Sequence, residues 1–252
     1  MRAHYYPHSV RLQPESFLYP AYGTPLVEAY DRRFEAVFIL LHPFIAVPLH
    51  LAWSVTKHYP TDAEIIANGS RHSWENVCRY TSFSSCARLN QALLTATGSL
   101  TGDLADSPGR NALQSFLQTH PIWMPTQGRF EPLLQNDLLR VFTAAGCDEL
   151  IAVPEFPSVD RVTRLPMSSF QARSIPFPMG GTLLAPDASL LLTVDWDSFF
   201  TLLYGSRNFL AQIAANLKLE GFFATANTDH AWFNYSMGCA TVTLSPEHWQ
   251  TA

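Results

Sequence analysis

Residues 227–235, NTDHAWFNY, carry the residue types best suited to chemistry: an acid, a histidine and then three aromatic rings. A histidine can act as a general base near neutral pH, and a carboxylate can orient its ring. Neighbouring side chains of an extended segment point to opposite faces, so Asp229 does not orient His230. We therefore expect the orienting acid to come from elsewhere in the chain, from Asp195 or Asp197.

A nucleophile for this histidine could be Cys86, which lies near the start of a predicted helix in SFSSCARLNQALL. The unpaired amides and the dipole of a helix N-terminus lower the pKa of a thiol there. Cys86 and His230 would then form the nucleophile and base of a cysteine-dependent hydrolase or transferase. The spacing of Cys86 with Leu89 and Leu93 is equally typical of a structural cysteine on a buried helix face.

The common catalytic and cofactor motifs are missing from the sequence. It contains no Gly-rich phosphate loop, no GxSxG, no HExxH, and no cysteine and histidine pairs at zinc-binding spacing. His4 and His8 are four apart, but Pro7 between them opposes the helix that would bring them together. We expect no metal and no cofactor, and an enzyme is less favoured than a binding protein.

The composition favours contact with another protein. Charged residues make up 15% of the chain and aromatic residues 13%, so much of the surface must be neutral or aromatic. The net charge of −5 argues against nucleic-acid binding, which normally needs a basic patch. From residue 187 onward only Arg207 and Lys218 oppose six acids, namely Asp187, Asp195, Asp197, Glu220, Asp229 and Glu247. This imbalance is typical of a solvated acidic face, and such a face would also steer a basic partner toward it.

Targeting and thiol features are few. The N-terminal residues MRAHYYPHSV lack the apolar region of a signal peptide, and no apolar run reaches the length of a membrane span. The four cysteines show no CxxC spacing. We expect a cytoplasmic protein without membrane contact, with all four thiols reduced.

The first half of the chain predicts an arm, a strand and then helices. Residues 1–30 contain four prolines and five tyrosines, which predicts an extended arm packed on a body formed by residues 31–252. The apolar run EAVFILLHPF predicts an interior strand. Thr61 and Glu64 form a capping box, Ser73 precedes another helix, and Pro108 fits a first helical position.

The second half predicts strands and one late helix. The segment ELIAVPEF predicts a strand, and GTLLAPDASLLLTVDW predicts a hairpin that turns at Pro186, Asp187 and Ala188. Asp197 is expected to cap SFFTLLYGS and Ser206 to begin a helix, whereas LEGFFATA and ATVTLS predict the last strands. The order of elements predicts one α+β domain with a mixed β-sheet, a central helical segment and a C-terminal hairpin plus helix.

The C-terminal run LLAPDASLLLTVDWDSFFTLLYG, followed by a helix and LEGFFATANTDHAW, resembles a group of uncharacterised bacterial cytoplasmic proteins, some of which are similar to toxin-immunity proteins. The resemblance implies a non-catalytic module that occludes a partner toxin. We expect the binding surface to contain Asp195, Trp196, Asp197, Tyr204, Asp229, Trp232 and Tyr235, since Trp and Tyr are common interface anchors. The alternative functions are the cysteine-dependent enzyme and the binding of a small ligand in an aromatic pocket, and the sequence does not determine an oligomeric state.

Overall fold

The protein has an α+β fold in which an antiparallel sheet is covered on both faces. The structure, a computed structural model, describes residues 13–48, 59–155, 162–171 and 175–232. The predicted α+β class is confirmed. Every strand pair among these residues is antiparallel, so the sheet there is not the mixed sheet that the order of elements suggested.

Ten strands form two sheets in the described part of the chain. A seven-stranded sheet has the order β10-β1-β9-β8-β7-β5-β6, and a three-stranded sheet has the order β3-β2-β4. The strands are β1 (Ala36–Leu41), β2 (Phe44–Ala46), β3 (Ser70–His72), β4 (Ile122–Trp123), β5 (Glu149–Val153), β6 (Thr163–Pro166), β7 (Gly181–Leu184), β8 (Leu191–Val194), β9 (Phe200–Gly205) and β10 (Gly221–Phe223).

Seven α-helices are described, most of them between β2 and β5. They are α1 (Asp62–Asn68), α2 (Trp74–Thr81), α3 (Cys86–Thr97), α4 (Ser107–Thr119), α5 (Gln135–Ala144), α6 (Met167–Gln171) and α7 (Arg207–Leu217). Short 3₁₀ helices occupy Pro14–Ser16, Leu26–Arg32, Gly102–Leu104 and Pro132–Leu134.

The predicted helix starts are confirmed by their hydrogen bonds. Thr61 and Glu64 form the capping box of α1, and the Ser73 side chain accepts from the backbone of Asn76 at the start of α2. Ser206 caps α7 in the same way. Each side chain satisfies a backbone N–H group that has no partner within its own helix, which fixes where the helix begins.

Strand β1 is buried on both faces, as the run EAVFILLHPF predicts. Val37, Ile39 and Leu41 belong to the core on one face of the sheet, together with residues of α2, α3 and α4. Ala36, Phe38 and Leu40 belong to the core on the other face, with residues of α5 and α7. The strand pairs with β10 on one side and β9 on the other, so it is an interior strand.

The hairpin is also confirmed, but the segment after it differs from the prediction. β7 and β8 pair with Gly181 opposite Val194, and residues 185–190 connect them. The following residues, Phe200–Gly205, form strand β9 rather than a helix capped by Asp197. All six residues of β9 are buried, and a short continuous apolar run does not distinguish a strand from a buried helix.

Part of the predicted N-terminal arm packs on this sheet. Phe17, Leu26 and Ala29 are buried in the core that contains β1. The backbone N–H of Leu26 donates to the carbonyl of Thr228 at 2.8 Å, which joins the arm to the turn after β10. The segment ATVTLS lies outside the described residues. Across the described ranges, no helix combines the length and apolar content needed to cross a bilayer.

Candidate functional site

A cavity of about 200 Å³ lies where one end of the seven-stranded sheet meets the N-terminal arm. Its walls come from the end of β5, the start of β7, the end of β8 and the arm. The lining residues are Leu18, Tyr19, Pro154, Glu155, Gly181, Thr182, Thr193, Val194 and Asp195. Antiparallel pairing brings these three strand ends to the same edge, so residues distant in sequence share one cavity.

His230 stands behind this wall, between a tyrosine and a carboxylate. Its Nδ1 lies 2.8 Å from the hydroxyl of Tyr19, and its Nε2 lies 3.6 Å from Oδ2 of Asp195. A carboxylate oxygen only accepts, so in the neutral ring Nε2 carries the proton and Nδ1 accepts from the Tyr19 hydroxyl. The 3.6 Å contact is electrostatic and too long for a hydrogen bond. Asp195 is therefore the acid that the sequence led us to expect beside His230.

Asp195 has a second partner in the arm. The Tyr22 hydroxyl donates to Oδ2 of Asp195 at 2.6 Å, and the Tyr22 ring lies 4.2 Å from the His230 ring. The side chain of Asp195 is 6% exposed. Tyr19, His230, Asp195 and Tyr22 thus form one connected polar group, although their positions span more than 200 residues.

Burial shifts the proton affinities in this group. Burial lowers the pKa of His230, and the nearby carboxylates of Asp195, Asp229 and Asp197 oppose that shift. Burial also raises the pKa of Tyr19, and the Asp195 charge raises it further. The arrangement holds the ring neutral and the phenol protonated at neutral pH, which preserves the Tyr19 to His230 hydrogen bond.

Glu155 places a second carboxylate in the cavity. Burial raises the pKa of Glu155, and the charge of Asp195 raises it further. Among the nine lining residues none is Lys, Arg or His. The cavity is therefore acidic, and its electrostatics favour a cationic occupant.

A tight turn positions Asp195. Gly128 has a φ of +72°, and a Cβ there would lie 2.1 Å from the Trp196 carbonyl oxygen. The Gly128 N–H donates to the Ser198 carbonyl at 2.9 Å. Only glycine permits this close approach, which presses the 126–128 segment against the turn between β8 and β9.

Among the predicted binding residues, Asp195 lines the cavity, and the other six fall into four groups. Trp196 is 63% exposed beside the cavity, and the partly buried Asp197 accepts from the Ser99 hydroxyl at 3.0 Å. Asp229 is partly buried in a turn that follows β10, as its composition predicts. Tyr204 and Trp232 are buried, so the expectation that they reach solvent is wrong. Tyr235 lies outside the described residues.

The burial of the two rings follows from their surroundings. Trp232 is completely buried and contacts Trp74, Phe200 and Phe222, with ring centroids 5.1 to 6.5 Å apart. Tyr204 lies in strand β9 against Tyr30 of the arm and against Phe34, which precedes β1. Aromatic residues have the same sequence signature in a core as at an interface, so composition alone did not distinguish the two.

The expected free thiol at Cys86 is wrong. Cys86 begins α3 as predicted, but it is disulfide-bonded and 3% exposed, whereas Cys78 and Cys147 are not disulfide-bonded. Both ring nitrogens of His230 face Tyr19 and Asp195. The geometry therefore gives no support to a Cys86 and His230 pair.

The sequence did not identify three residues of the site, Tyr19, Tyr22 and Glu155. The tyrosines of the N-terminal residues could have indicated Tyr19 and Tyr22. The same tyrosines are equally typical of an arm that packs on the body. Glu155 follows the predicted strand ELIAVPEF without any motif. In the described ranges no group of three or more His, Cys, Asp or Glu residues could hold a metal ion.

The family described as "Protein of unknown function (DUF2711)" matches residues 22–234 of the chain, which therefore belongs to it. The match includes Tyr22, Glu155, Asp195 and His230, and it excludes Tyr19. No curated protein and no solved structure matches the chain.

Proposed function

We propose that this member of the family is a non-catalytic module that binds a basic protein partner at the mouth of the acidic cavity. The observation that carries the proposal is a set of four exposed apolar side chains, called the rim below, in or next to the segments that line the cavity: Leu18, Tyr22, Met179 and Trp196. Their exposed fractions are 40%, 61%, 60% and 63%. These four are half of the eight large hydrophobic side chains that are exposed in the described part of the chain.

The rim residues belong together by position. Leu18 lines the cavity, and Tyr22 binds Asp195. Gly181 pairs with Val194 at the end of the β7 and β8 ladder, so Met179 and Trp196 each lie two residues beyond the same pair. Exposed apolar groups gathered around a polar centre are typical of protein interaction sites, and Trp and Tyr are common anchors there.

Charge determines the kind of partner. Asp195 and Glu155 line the cavity, and Asp197 follows Trp196 in the adjacent turn. A partner that presents a basic side chain toward this centre would match its charge, whereas an acidic partner would be repelled. That the partner is a toxin, as the resemblance to immunity proteins implies, stays a prediction to which the family description adds nothing.

The test introduces a photo-crosslinking amino acid at position 196 and, in a second variant, at position 80. Tyr80 is a matched control because it is 66% exposed and lies on α2, outside the rim. A protein crosslinked at 196 but not at 80 is then purified and its binding measured. We expect Trp196→Ala to weaken that binding at least tenfold, equivalent to about 1.4 kcal/mol, and Tyr80→Ala to leave it unchanged.

The dependence of partner binding on salt concentration is a second test of the proposal, because ions screen the attraction between a basic partner and an acidic site. The association rate should fall as salt is raised, and it should fall less steeply for Asp197→Asn. Failure to crosslink any protein specifically at 196 would show the proposal to be wrong. Equal affinities of the Trp196→Ala and Tyr80→Ala variants would also show it to be wrong.

A further inference from the structure

The cavity is built for a group smaller than a typical ligand. Its volume is about 200 Å³, whereas sites for drug-sized molecules measure roughly 300–1,000 Å³. Strand ends form its walls, and residues 18 and 19 of the arm close one side. It has room for a single side-chain group or a small amine.

One oxygen of the Asp195 carboxylate has no donor. Oδ2 accepts from the Tyr22 hydroxyl and faces Nε2 of His230. Oδ1 accepts no hydrogen bond from the residues that the structure describes, although Asp195 lines the cavity and is 6% exposed. Because Asp195 lines the cavity, a donor that enters the cavity can reach this carboxylate.

Two further acceptors face the same space. Glu155 contributes its carboxylate. The Thr182 hydroxyl donates to Thr193 at 2.8 Å, and the Thr193 hydroxyl in turn donates to the Gly181 carbonyl at 3.3 Å. The oxygen of Thr182 therefore keeps acceptor capacity, and the lining contains two negative charges without a basic side chain.

These acceptors suit a primary ammonium group better than the other common cations. A guanidinium prefers two parallel bonds to both oxygens of one carboxylate, and Tyr22 already occupies Oδ2 of Asp195. A quaternary ammonium has no N–H to donate. A primary ammonium has three rotatable donors on a compact charge, which can reach three separately placed oxygens.

We propose that the cavity binds a primary ammonium group, with Asp195, Glu155 and Thr182 as its acceptors. Tyr22 and His230 act as positioning residues that hold the Asp195 carboxylate. The source of the ammonium group rests on the proposed function. In the complex with the partner protein, it would belong to a lysine side chain of that partner. The cavity itself needs no partner, so a free amine should enter it.

The probe is butylammonium, titrated calorimetrically into the purified full chain at neutral pH. Tetramethylammonium and butylguanidinium serve as comparison cations of the same charge. We expect saturable binding of butylammonium that is at least tenfold tighter than that of either comparison cation. Equal affinities for the three cations, or no saturation by butylammonium, would overturn the proposal.

Variants locate the binding. Asp195→Asn should weaken butylammonium binding at least tenfold and Glu155→Gln several-fold, whereas Asp103→Asn, in the exposed Gly102–Leu104 helix, should not change it. Glu155 is exposed, so its variant remains informative even if Asp195→Asn fails to fold. Unchanged affinity in Glu155→Gln would overturn the assignment.

The Trp196→Ala variant separates this inference from the proposed function. It should lose the protein partner and keep its affinity for butylammonium, because Trp196 does not line the cavity. If the protein binds a partner but not butylammonium, the proposed ammonium site is wrong and the proposed function stands. If it binds butylammonium but no partner protein, the proposed function is wrong and the ammonium site stands.

Discussion

At the residue scale, two buried histidines have different surroundings. Nδ1 of His42 lies 2.9 Å from the Thr126 carbonyl, and its Nε2 lies 2.9 Å from the Thr201 hydroxyl. The carbonyl only accepts, so Nδ1 carries the proton and Nε2 accepts from Thr201. His42 thus has neutral partners in the core, whereas His230 has a carboxylate beside a cavity. The first is a structural histidine, and the second belongs to the site.

His42 should make the protein less stable in acid. Burial lowers the pKa of His42 to about 4, against an ordinary value near 6.5. Between these values the unfolded chain binds the extra proton, so the free energy of unfolding falls as pH falls. We expect a loss of about 2 kcal/mol from pH 7.5 to 5, at about 1.4 kcal/mol per pKa unit, measured by urea unfolding.

The control for that prediction is His42→Gln, compared at the same two pH values. Buried carboxyl groups such as Glu131, whose pKa burial raises, act in the opposite direction, so only the difference between the proteins isolates the histidine. The variant should start less stable and lose less stability on acidification. Parallel losses in the two proteins would contradict the assignment.

Trp196 and Trp232 provide a matched pair for burial. Trp232 is completely buried against three aromatic rings, and Trp196 is 63% exposed. We expect Trp232→Ala to lower the free energy of unfolding by about 3–5 kcal/mol, as large truncations in a core do. Trp196→Ala should change it by no more than about 0.5 kcal/mol. Urea unfolding measures both. Similar costs would mean that residues 229–232 are less well packed than described.

At the element scale, the hairpin of β7 and β8 positions the acidic cavity at one end and a turn at the other. Asp195 follows β8 at the cavity end, whereas Asp187 lies exposed in the distant turn. Glu220 is used internally, because its carboxylate accepts from the backbone N–H groups of Trp74 and Glu75. The acids of the C-terminal quarter therefore do not form one face, contrary to what their count along the sequence suggested.

Gly181 should be essential to this end of the hairpin. Its φ is +82°, and a Cβ would lie 2.4 Å from the Val153 carbonyl oxygen. Gly146 has a φ of +76° with no atom within 4 Å of such a Cβ, so it is a control for backbone strain alone. We expect Gly181→Ala to cost about 1–3 kcal/mol more than Gly146→Ala, because overpacking is added to the shared strain.

The same pair should differ in ligand binding. The clash in Gly181→Ala displaces the end of β5 and the following residue Glu155, whose backbone nitrogen lies 3.0 Å from the added carbon. Butylammonium affinity should fall in Gly181→Ala and stay unchanged in Gly146→Ala. Equal stability and equal affinity of the two variants would show that the strands approach less closely.

Sequence patterns predicted the local elements well because their causes are local. The caps at Thr61, Ser73 and Ser206 act within one helical turn, and the hairpin turn acts within a few residues. Strand β9 was misassigned because its burial comes from both neighbouring layers, which a short apolar run does not reveal. Trp232 was misplaced because two of its ring partners, Trp74 and Phe200, are remote in sequence.

At the scale of the whole molecule, the bridge at Cys86 alters the expected response to reducing agents. If every cysteine were a reduced thiol, a reducing agent would not change the melting temperature. The disulfide at Cys86 constrains the unfolded chain and so stabilises the folded one by about 2–4 kcal/mol. We expect a reducing agent to lower the melting temperature of the natural chain by several degrees. Cys86→Ala should melt lower and respond no further. An unchanged melting temperature in the natural chain would contradict the bridge.

The candidate site could be predicted from the sequence only in part. Asp195 was one of two acids considered for His230, because a catalytic histidine needs an orienting acid and the hairpin end offered Asp195 and Asp197. Tyr19 and Tyr22 were missed because they lie 211 and 173 residues from their partners, and no local pattern spans such distances. The cavity follows from strand register, which the sequence did not specify.

The distance between Tyr19 and His230 also sets an order in time. Tyr19 leaves the ribosome 211 residues before His230, a delay of roughly 10–40 s at the usual rates of synthesis. The hydrogen bond from the Leu26 N–H to the Thr228 carbonyl likewise forms only after Thr228 has been made. During that interval Tyr19 and Tyr22 have already been made, but Thr228 and His230, which bind the arm, have not. We therefore expect the arm to dock fully on the sheet only once residues 228–230 have been made.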